Sequence, residues 1–138
     1  MATSSSDAAG GWLPDVERAD VPYLLPRLGI AVVFVGFGVW ELLNPGYWTV
    51  YVPTLLAGHA WTLRLVQLHG VVLTTTGAAV LLPRYARRGA AVATLVLAEI
   101  CLDILLANGV TSILLRDVGL LAVAAALVWL PFAGPGRS

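Results

Sequence analysis

The hydrophobic positions of this chain fall into four long runs, separated by short polar or aromatic segments. The runs cover about residues 22–43, 62–82, 89–107 and 110–132. A helix needs about 20 mostly apolar residues to cross the hydrocarbon core of a bilayer, which is about 30 Å thick. The pattern therefore predicts an all-α protein, a bundle of four transmembrane helices.

The boundary between the third and fourth runs depends on two residues. A single helix over residues 89–132 would be about 66 Å long at about 1.5 Å per residue, so the chain has to break within it. Asn108 and Gly109 form a turn-favouring pair at a suitable position. We therefore place the break there, which makes the last two helices antiparallel neighbours.

The segment between the first two runs has a different character. Residues 45–61 (PGYWTVYVPTLLAGHAW) are too short, and too interrupted by proline and glycine, to cross a membrane. Tyr47, Trp48, Tyr51 and Trp61 are of the aromatic types that favour the headgroup region. We predict an interfacial loop or short helix between the first and second spans.

Small residues recur in the first two runs. They are Gly29, Gly36 and Gly38 in the first run, and Gly70 and Gly77 in the second. Small residues let helix backbones approach closely in a membrane, where packing rather than the hydrophobic effect holds helices together. We expect these glycines to lie at helix contacts.

The composition agrees with a membrane protein of one domain. Hydrophobic residues make up 59% of the 138 residues and charged residues 12%, against about 45–50% and about 25% in soluble domains. The formal net charge is zero, so the chain offers no large basic surface to nucleic acid, and the lipid bilayer is its expected partner. The single cysteine, Cys101, excludes an intramolecular disulfide and a CxxC site.

The arginines indicate the orientation. We divide the chain into a disordered tail (1–20), a transmembrane domain (21–133) and a short tail (134–138). With four spans, both termini and the loop between the second and third spans lie on one side. That side carries Arg18, Arg27, Arg84, Arg87, Arg88 and Arg137. The positive-inside rule then predicts a multi-pass protein of the cell membrane with both termini in the cytoplasm.

Seven ionisable side chains fall in the other half of the predicted bundle. They are Glu41, Arg64, His69, Glu99, Asp103, Arg116 and Asp117. Placing an ionisable group in hydrocarbon costs roughly 2.5–3.5 kcal/mol or more, so such groups usually face the bundle interior and mark a functional site. We expect them to form one polar intramembrane cluster that binds a ligand or carries protons.

The depths of these residues predict specific pairs. Asp103, Arg116 and His69 lie at similar levels, roughly 10 Å below the outer boundary at about 1.5 Å per residue. Glu99 and Asp103 are four residues apart and share a helix face. Either Arg116 pairs with one of them, with Asp103 at the matching level, or one of the two carboxyl groups keeps its proton. Such a pair could also simply hold helices together. No spacing indicates a metal site, and we expect no bound metal.

Three segments resemble the DoxX-like family of small four-helix membrane proteins. The resemblance rests on residues 26–29 (PRLG), 36–45 (GFGVWELLNP) and 115–120 (LRDVGL), and it extends over about residues 22–132. In this chain Glu41 stands where the family often has a lysine, and Gln67 and His69 stand where it often has a glutamate. The resemblance implies a four-helix bundle and, as in some members, a membrane subunit of a quinone-linked redox system.

Three functions remain open. The first, which the resemblance suggests, is an accessory or membrane subunit that works with a redox protein partner and binds a quinone. The second is a structural or assembly protein whose buried charges fix helix packing. The third is a translocator of small solutes or ions, which would require a homo-oligomer. No phosphate loop, exposed Ser/His/Asp arrangement or haem motif occurs in the chain, which disfavours an enzyme as an isolated chain.

Overall fold

The computed structural model of the protein describes residues 21–129, and within them the regular secondary structure is all helical, without a strand. Its elements are α1 (Val21–Leu43), α2 (Pro45–Trp48), a 3₁₀ turn (Thr49–Tyr51), α3 (Thr62–Leu81), α4 (Ala86–Asn108) and α5 (Ser112–Trp129). The all-α prediction is therefore confirmed. The predicted tails, residues 1–20 and 134–138, lie outside the described residues.

Three of the helices are long and apolar enough to cross a membrane. These are Tyr23–Leu43, Ala86–Asn108 and Ser112–Trp129. The 20-residue helix α3 is more polar, because Arg64, Gln67 and His69 all fall in its first half. The structure thus supports a membrane protein with three apolar helices and one more polar helix, and the count of four spans is supported only in part.

The four long helices pack in the circular order α1, α3, α4, α5. The α1–α3 and α4–α5 contacts are the most extensive, α3 also packs on α4, and a smaller contact between α5 and α1 closes the ring. Helices α1 and α3 are antiparallel, because Arg27 of α1 reaches Val80 of α3 while Glu41 of α1 reaches His69 of α3. Neighbouring helices in the ring therefore run in opposite directions.

The apolar core occupies one half of the bundle. It consists of Ile30, Phe34, Leu73, Val80, Ala90, Ala93, Leu97, Ala124 and Leu127. These residues come from the first half of α1 and α4 and from the second half of α3 and α5. The core therefore lies toward the α3–α4 turn. The seven ionisable residues of the predicted polar cluster belong to the opposite half.

Two glycines allow the close approach of α1 and α3. A Cβ atom added at Gly38 would contact the Oγ1 atom of Thr74 and lie 2.7 Å from the carbonyl oxygen of Gly70. A Cβ atom added at Gly70 would lie 2.8 Å from the carbonyl oxygen of Gly38. The two backbones touch at this level, so neither position has room for a side chain.

The predicted chain breaks are present. Gly109 ends α4 with a φ of 70°, and its N–H donates to the carbonyl oxygen of Leu105 at 3.0 Å. The left-handed conformation at this position favours glycine. In the 45–61 segment, the short helix α2 packs against α1 and α3. A short helix between the first two long helices agrees with the prediction for this segment.

Arg27 joins the beginning of α1 to the end of α3. Its Nε atom donates to the carbonyl oxygen of Val80 at 3.0 Å, and its Nη2 atom donates to that of Leu81 at 2.7 Å. The last carbonyl groups of a helix lack partners within the helix, so these bonds satisfy acceptors that would otherwise be unpaired.

We expect Arg27→Met to lower the free energy of unfolding by about 1–3 kcal/mol, because hydrogen bonds from a charged donor contribute about 1.5–3 kcal/mol and this site is only partly buried. Arg27→Lys should recover only part of the loss, since an ammonium group cannot reproduce the fork of two guanidinium donors. Equilibrium unfolding in mixed micelles, followed by circular dichroism, measures both variants. Equal stability of Arg27→Met and the unsubstituted protein would contradict this role.

Candidate functional site

A carboxylate and an imidazole meet between α1 and α3. Glu41, in the last turn of α1, is buried, and its Oε2 atom lies 2.8 Å from the Nδ1 atom of His69. Gly70 permits this contact, because the residue next to His69 leaves space for the Cβ atom of Glu41. A carboxylate accepts hydrogen bonds, so Nδ1 carries the proton in this pair. The other ring nitrogen, Nε2, is then the one available to a further partner.

Two acidic residues of α4 lie on the other side of the imidazole. The Oε2 atom of Glu99 is 4.0 Å from Nε2 of His69, and the carboxyl group of Asp103 interacts with both Glu99 and His69. The distance between Nε2 of His69 and Oε2 of Glu99 is too long for a hydrogen bond. Nε2 is shielded from solvent and has no hydrogen-bond partner within residues 21–129. Glu41, His69 and Glu99 thus form a row of three polar side chains, with a hydrogen bond between the first two and a gap between His69 and Glu99.

The Glu99 side chain is 57% exposed although it lies near the middle of a membrane-compatible helix. A carboxyl group at this position is costly when it faces lipid directly. The exposed side of Glu99 therefore requires a proton, a bound polar group or a neighbouring protein surface. A bound polar group at this position would also lie close to the unpaired Nε2 atom of His69.

Of the two alternatives, the one in which Arg116 pairs with a carboxyl group of α4 is wrong. Arg116 pairs instead with its neighbour Asp117, with 2.8 Å between Nε and Oδ1. The physical reason is the direction of the helix faces. Asp103 lies on the side of α4 that faces α3, whereas the Arg116 guanidinium lies 6.0 Å from the ring of Phe37 on α1. Similar depth does not bring two side chains together when they point to different neighbours.

The expected single cluster is therefore divided. Glu41, His69, Glu99 and Asp103 form one group along α1, α3 and α4. The Arg116–Asp117 pair is a second group on α5, with Asp117 buried.

Arg64 joins neither group. It is exposed, forms no ion pair within the described chain, and lines a shallow groove with Ala60 and Trp61. The histidine group is the candidate site, because it combines an unpaired buried nitrogen atom, His69 Nε2, with a partly exposed acid, Glu99.

Aromatic side chains surround the outer end of α1, and sequence reasoning did not identify this group as a unit. Consecutive ring contacts with centroid distances of 5.4–6.4 Å join Phe37, Trp40, Tyr47, Trp48 and Tyr51. The spacing of Phe37 and Trp40 by three residues, followed by three aromatic residues in the next segment, was the available signal. The group packs α2 and the 3₁₀ turn onto the end of α1, near Glu41.

The described residues contain no cluster of three or more His, Cys, Asp or Glu side chains arranged to hold a metal ion. The side chains of the histidine group can form hydrogen bonds and exchange protons. An imidazole held by a buried carboxylate on one nitrogen can accept a proton at the other nitrogen or donate one there. Glu99 and Asp103 supply further proton-binding oxygens nearby.

Comparison with known proteins adds no relative. The chain matches no protein-family model, and neither the curated proteins nor the solved structures contain a match.

Proposed function

We propose that this chain is a small membrane protein of the DoxX-like type, with α3 as a fourth span. Helix α3 lies between α1 and α4 in the ring, and at 20 residues it has the length of a span. One of its polar side chains, His69, has a partner in Glu41 of α1, and Arg27 of α1 donates to the carbonyl groups of its last turn. The concentration of arginines at residues 84–88 supports an orientation with the α3–α4 turn and both termini on the cytoplasmic side of the cell membrane.

We further propose that the protein is an accessory or membrane subunit of a quinone-linked redox system. The observation that carries this proposal is the gap in the Glu41–His69–Glu99 row. A quinone carries its two ring oxygens on an apolar body, so it suits a hydrogen-bonding gap whose outer member, Glu99, is exposed on the surface of the bundle. In this arrangement protonated His69 Nε2 and the protonated carboxyl group of Glu99 donate hydrogen bonds to one quinone oxygen, and one of these protons passes to that oxygen when the quinone is reduced, while Asp103 extends the proton path.

The electrons for such a reaction come from a redox protein partner. A quinone takes up two electrons and two protons to become a quinol. The chain has one cysteine and therefore no dithiol of its own. The proposed role of this chain is to bind the quinone and to pass the protons.

Binding of a short-chain ubiquinone to the full chain in a mild detergent tests the proposal. Native mass spectrometry gives the stoichiometry, and quenching of tryptophan fluorescence gives the Kd. We expect His69→Gln to weaken binding about tenfold or more, because one hydrogen bond at the gap is lost, while the amide still bonds to Glu41. Arg64→Gln is the matched control, since Arg64 lies in the same half but outside the histidine group.

Two results would overturn the proposal. They are the absence of quinone binding by the unsubstituted chain, and an equal Kd for His69→Gln and the unsubstituted chain. The same spectra show whether the protein is extracted as a monomer, as a homo-oligomer or with a second protein that covers Glu99.

A structural or assembly role is the alternative that one observation favours. The Glu41–His69 contact connects α1 to α3 and could serve only to fix their packing. The exchange Glu41→His with His69→Glu separates the two functions. A structural contact should be restored by the exchange, whereas quinone binding should not recover, because the imidazole would then lie on α1 and away from Glu99. An oligomeric translocator instead predicts solute flux in liposomes that Asp103→Asn abolishes.

A further inference from the structure

An open groove runs between α3 and α4 in the half of the bundle that contains the apolar core. Its volume is about 360 Å³. Its lining includes Val72, Thr75, Thr76, Ala79, Arg88 and Val92. The groove lies in the half opposite to His69 and Glu99, so it is distinct from the candidate quinone site.

The walls of the groove are apolar although two threonines contribute to them. The hydroxyl group of Thr75 donates to the carbonyl oxygen of Val71 at 2.7 Å within its own helix. A threonine that bonds back to its helix presents less polar surface to the groove. Gly89 brings α4 against α3, because a Cβ atom added there would lie 2.8 Å from the backbone nitrogen of Val80. The floor of the groove is therefore closely packed backbone.

Three arginines surround the end of the groove at the α3–α4 turn. Arg88 lines the groove itself, Arg87 is exposed beside it, and the guanidinium group of Arg84 lies 5.6 Å from the ring centroid of Tyr85, another lining residue. Within residues 21–129 no carboxylate lies within ion-pair distance of these three arginines. The four acidic residues described in the structure all belong to the opposite half of the bundle. Among the described residues, this end therefore carries positive charge without an acidic partner.

We infer that the groove binds one anionic phospholipid. One acyl chain lies between α3 and α4 along Val72 and Val92, and the phosphate lies at Arg88 with Arg84 and Arg87 around it. Basic pockets between transmembrane helices are the type of site that binds anionic headgroups. This apolar groove ends in arginines that have no ion-pair partner within residues 21–129. It therefore matches a molecule with an apolar chain and an anionic head. A soluble anion would use the arginines but not the groove.

The test is lipid retention by the full chain in a non-ionic detergent, measured by native mass spectrometry. Phosphatidylglycerol and phosphatidylcholine with the same acyl chains are added at equal concentration. We expect the protein to retain phosphatidylglycerol preferentially, and Arg88→Gln to weaken its binding about fivefold, since one arginine near an anionic headgroup contributes about 1 kcal/mol. Arg64→Gln removes an exposed arginine at the other end of α3 and should leave retention unchanged.

A second pair of variants separates groove binding from attraction to a basic surface. Ala79→Phe fills the groove with all arginines intact, and Ala78→Phe adds the same ring at the exposed position next to it. We expect Ala79→Phe to lose phosphatidylglycerol retention and Ala78→Phe to keep it. Glycerol 3-phosphate, which has the phosphate but no acyl chain, should not displace the lipid.

Three outcomes would overturn the inference. They are equal retention of the two lipids, equal retention by both alanine variants, and displacement of the lipid by glycerol 3-phosphate. The last would assign the arginines to a soluble anion. Because neither His69 nor Glu99 is substituted, failure here leaves the quinone proposal unaffected.

Discussion

Gly38→Ala is expected to destabilise the protein, whereas Gly36→Ala, two residues earlier in the same helix, should not. A Cβ atom at Gly38 would lie 2.7 Å from backbone atoms of α3, while a Cβ atom at Gly36 has nothing within 4 Å. Overpacking of this kind costs about 1–3 kcal/mol and more when backbones have to separate. Removing a helical glycine without a clash stabilises by up to about 1 kcal/mol. The two variants should therefore change the free energy of unfolding with opposite signs.

Unfolding in mixed micelles of increasing denaturing detergent, followed by circular dichroism, measures this difference. Gly70→Ala provides an independent check, since its Cβ atom would lie 2.8 Å from the carbonyl oxygen of Gly38. The double variant Gly38→Ala with Gly70→Ala should lose less than the sum of the single losses, because one separation of α1 from α3 relieves both contacts. Equal stability of the Gly36 and Gly38 variants would refute the close approach of these helices.

Arg116→Leu is expected to destabilise the protein far more than Asp117→Leu, although the two residues form one ion pair. The Asp117 side chain is 8% exposed and the Arg116 side chain 55%. Loss of Arg116 leaves the buried carboxyl group of Asp117 without its partner, and a buried polar group left unsatisfied costs about 1–3 kcal/mol. Loss of Asp117 leaves an arginine whose long side chain can turn toward the membrane surface.

The double variant, Arg116→Leu with Asp117→Leu, should recover most of the stability that Arg116→Leu loses, because no buried charge remains. Arg64→Leu controls for the removal of an arginine from the same half and should have little effect. Stability and the yield of monodisperse protein after extraction measure all four variants. Equal losses in the two single variants would show that the partners are not unequally buried.

The elements of this fold could be predicted well because they depend on local sequence. Runs of apolar residues of bilayer length give helices wherever they lie, and the predicted starts and ends agree closely with those of α1 and α3. The Asn108–Gly109 break was also predictable, since a glycine that adopts a positive φ ends a helix through its own backbone. The polarity of α3 was visible as well, but sequence alone did not say that Glu41 of α1 would be the partner of its histidine.

The sequence by itself determined the depth of each ionisable side chain, and the tertiary structure decided its direction. Asp103 and Arg116 lie at similar levels, yet Asp103 faces α3 and Arg116 faces α1. Likewise, the sequence indicated that glycines permit close contact, but only the packing distinguishes Gly38, which touches α3, from Gly36, which has open space. Depth follows from counting residues along a helix, whereas direction depends on how each helix is rotated against its neighbours, and that rotation is set by the packing of the whole bundle.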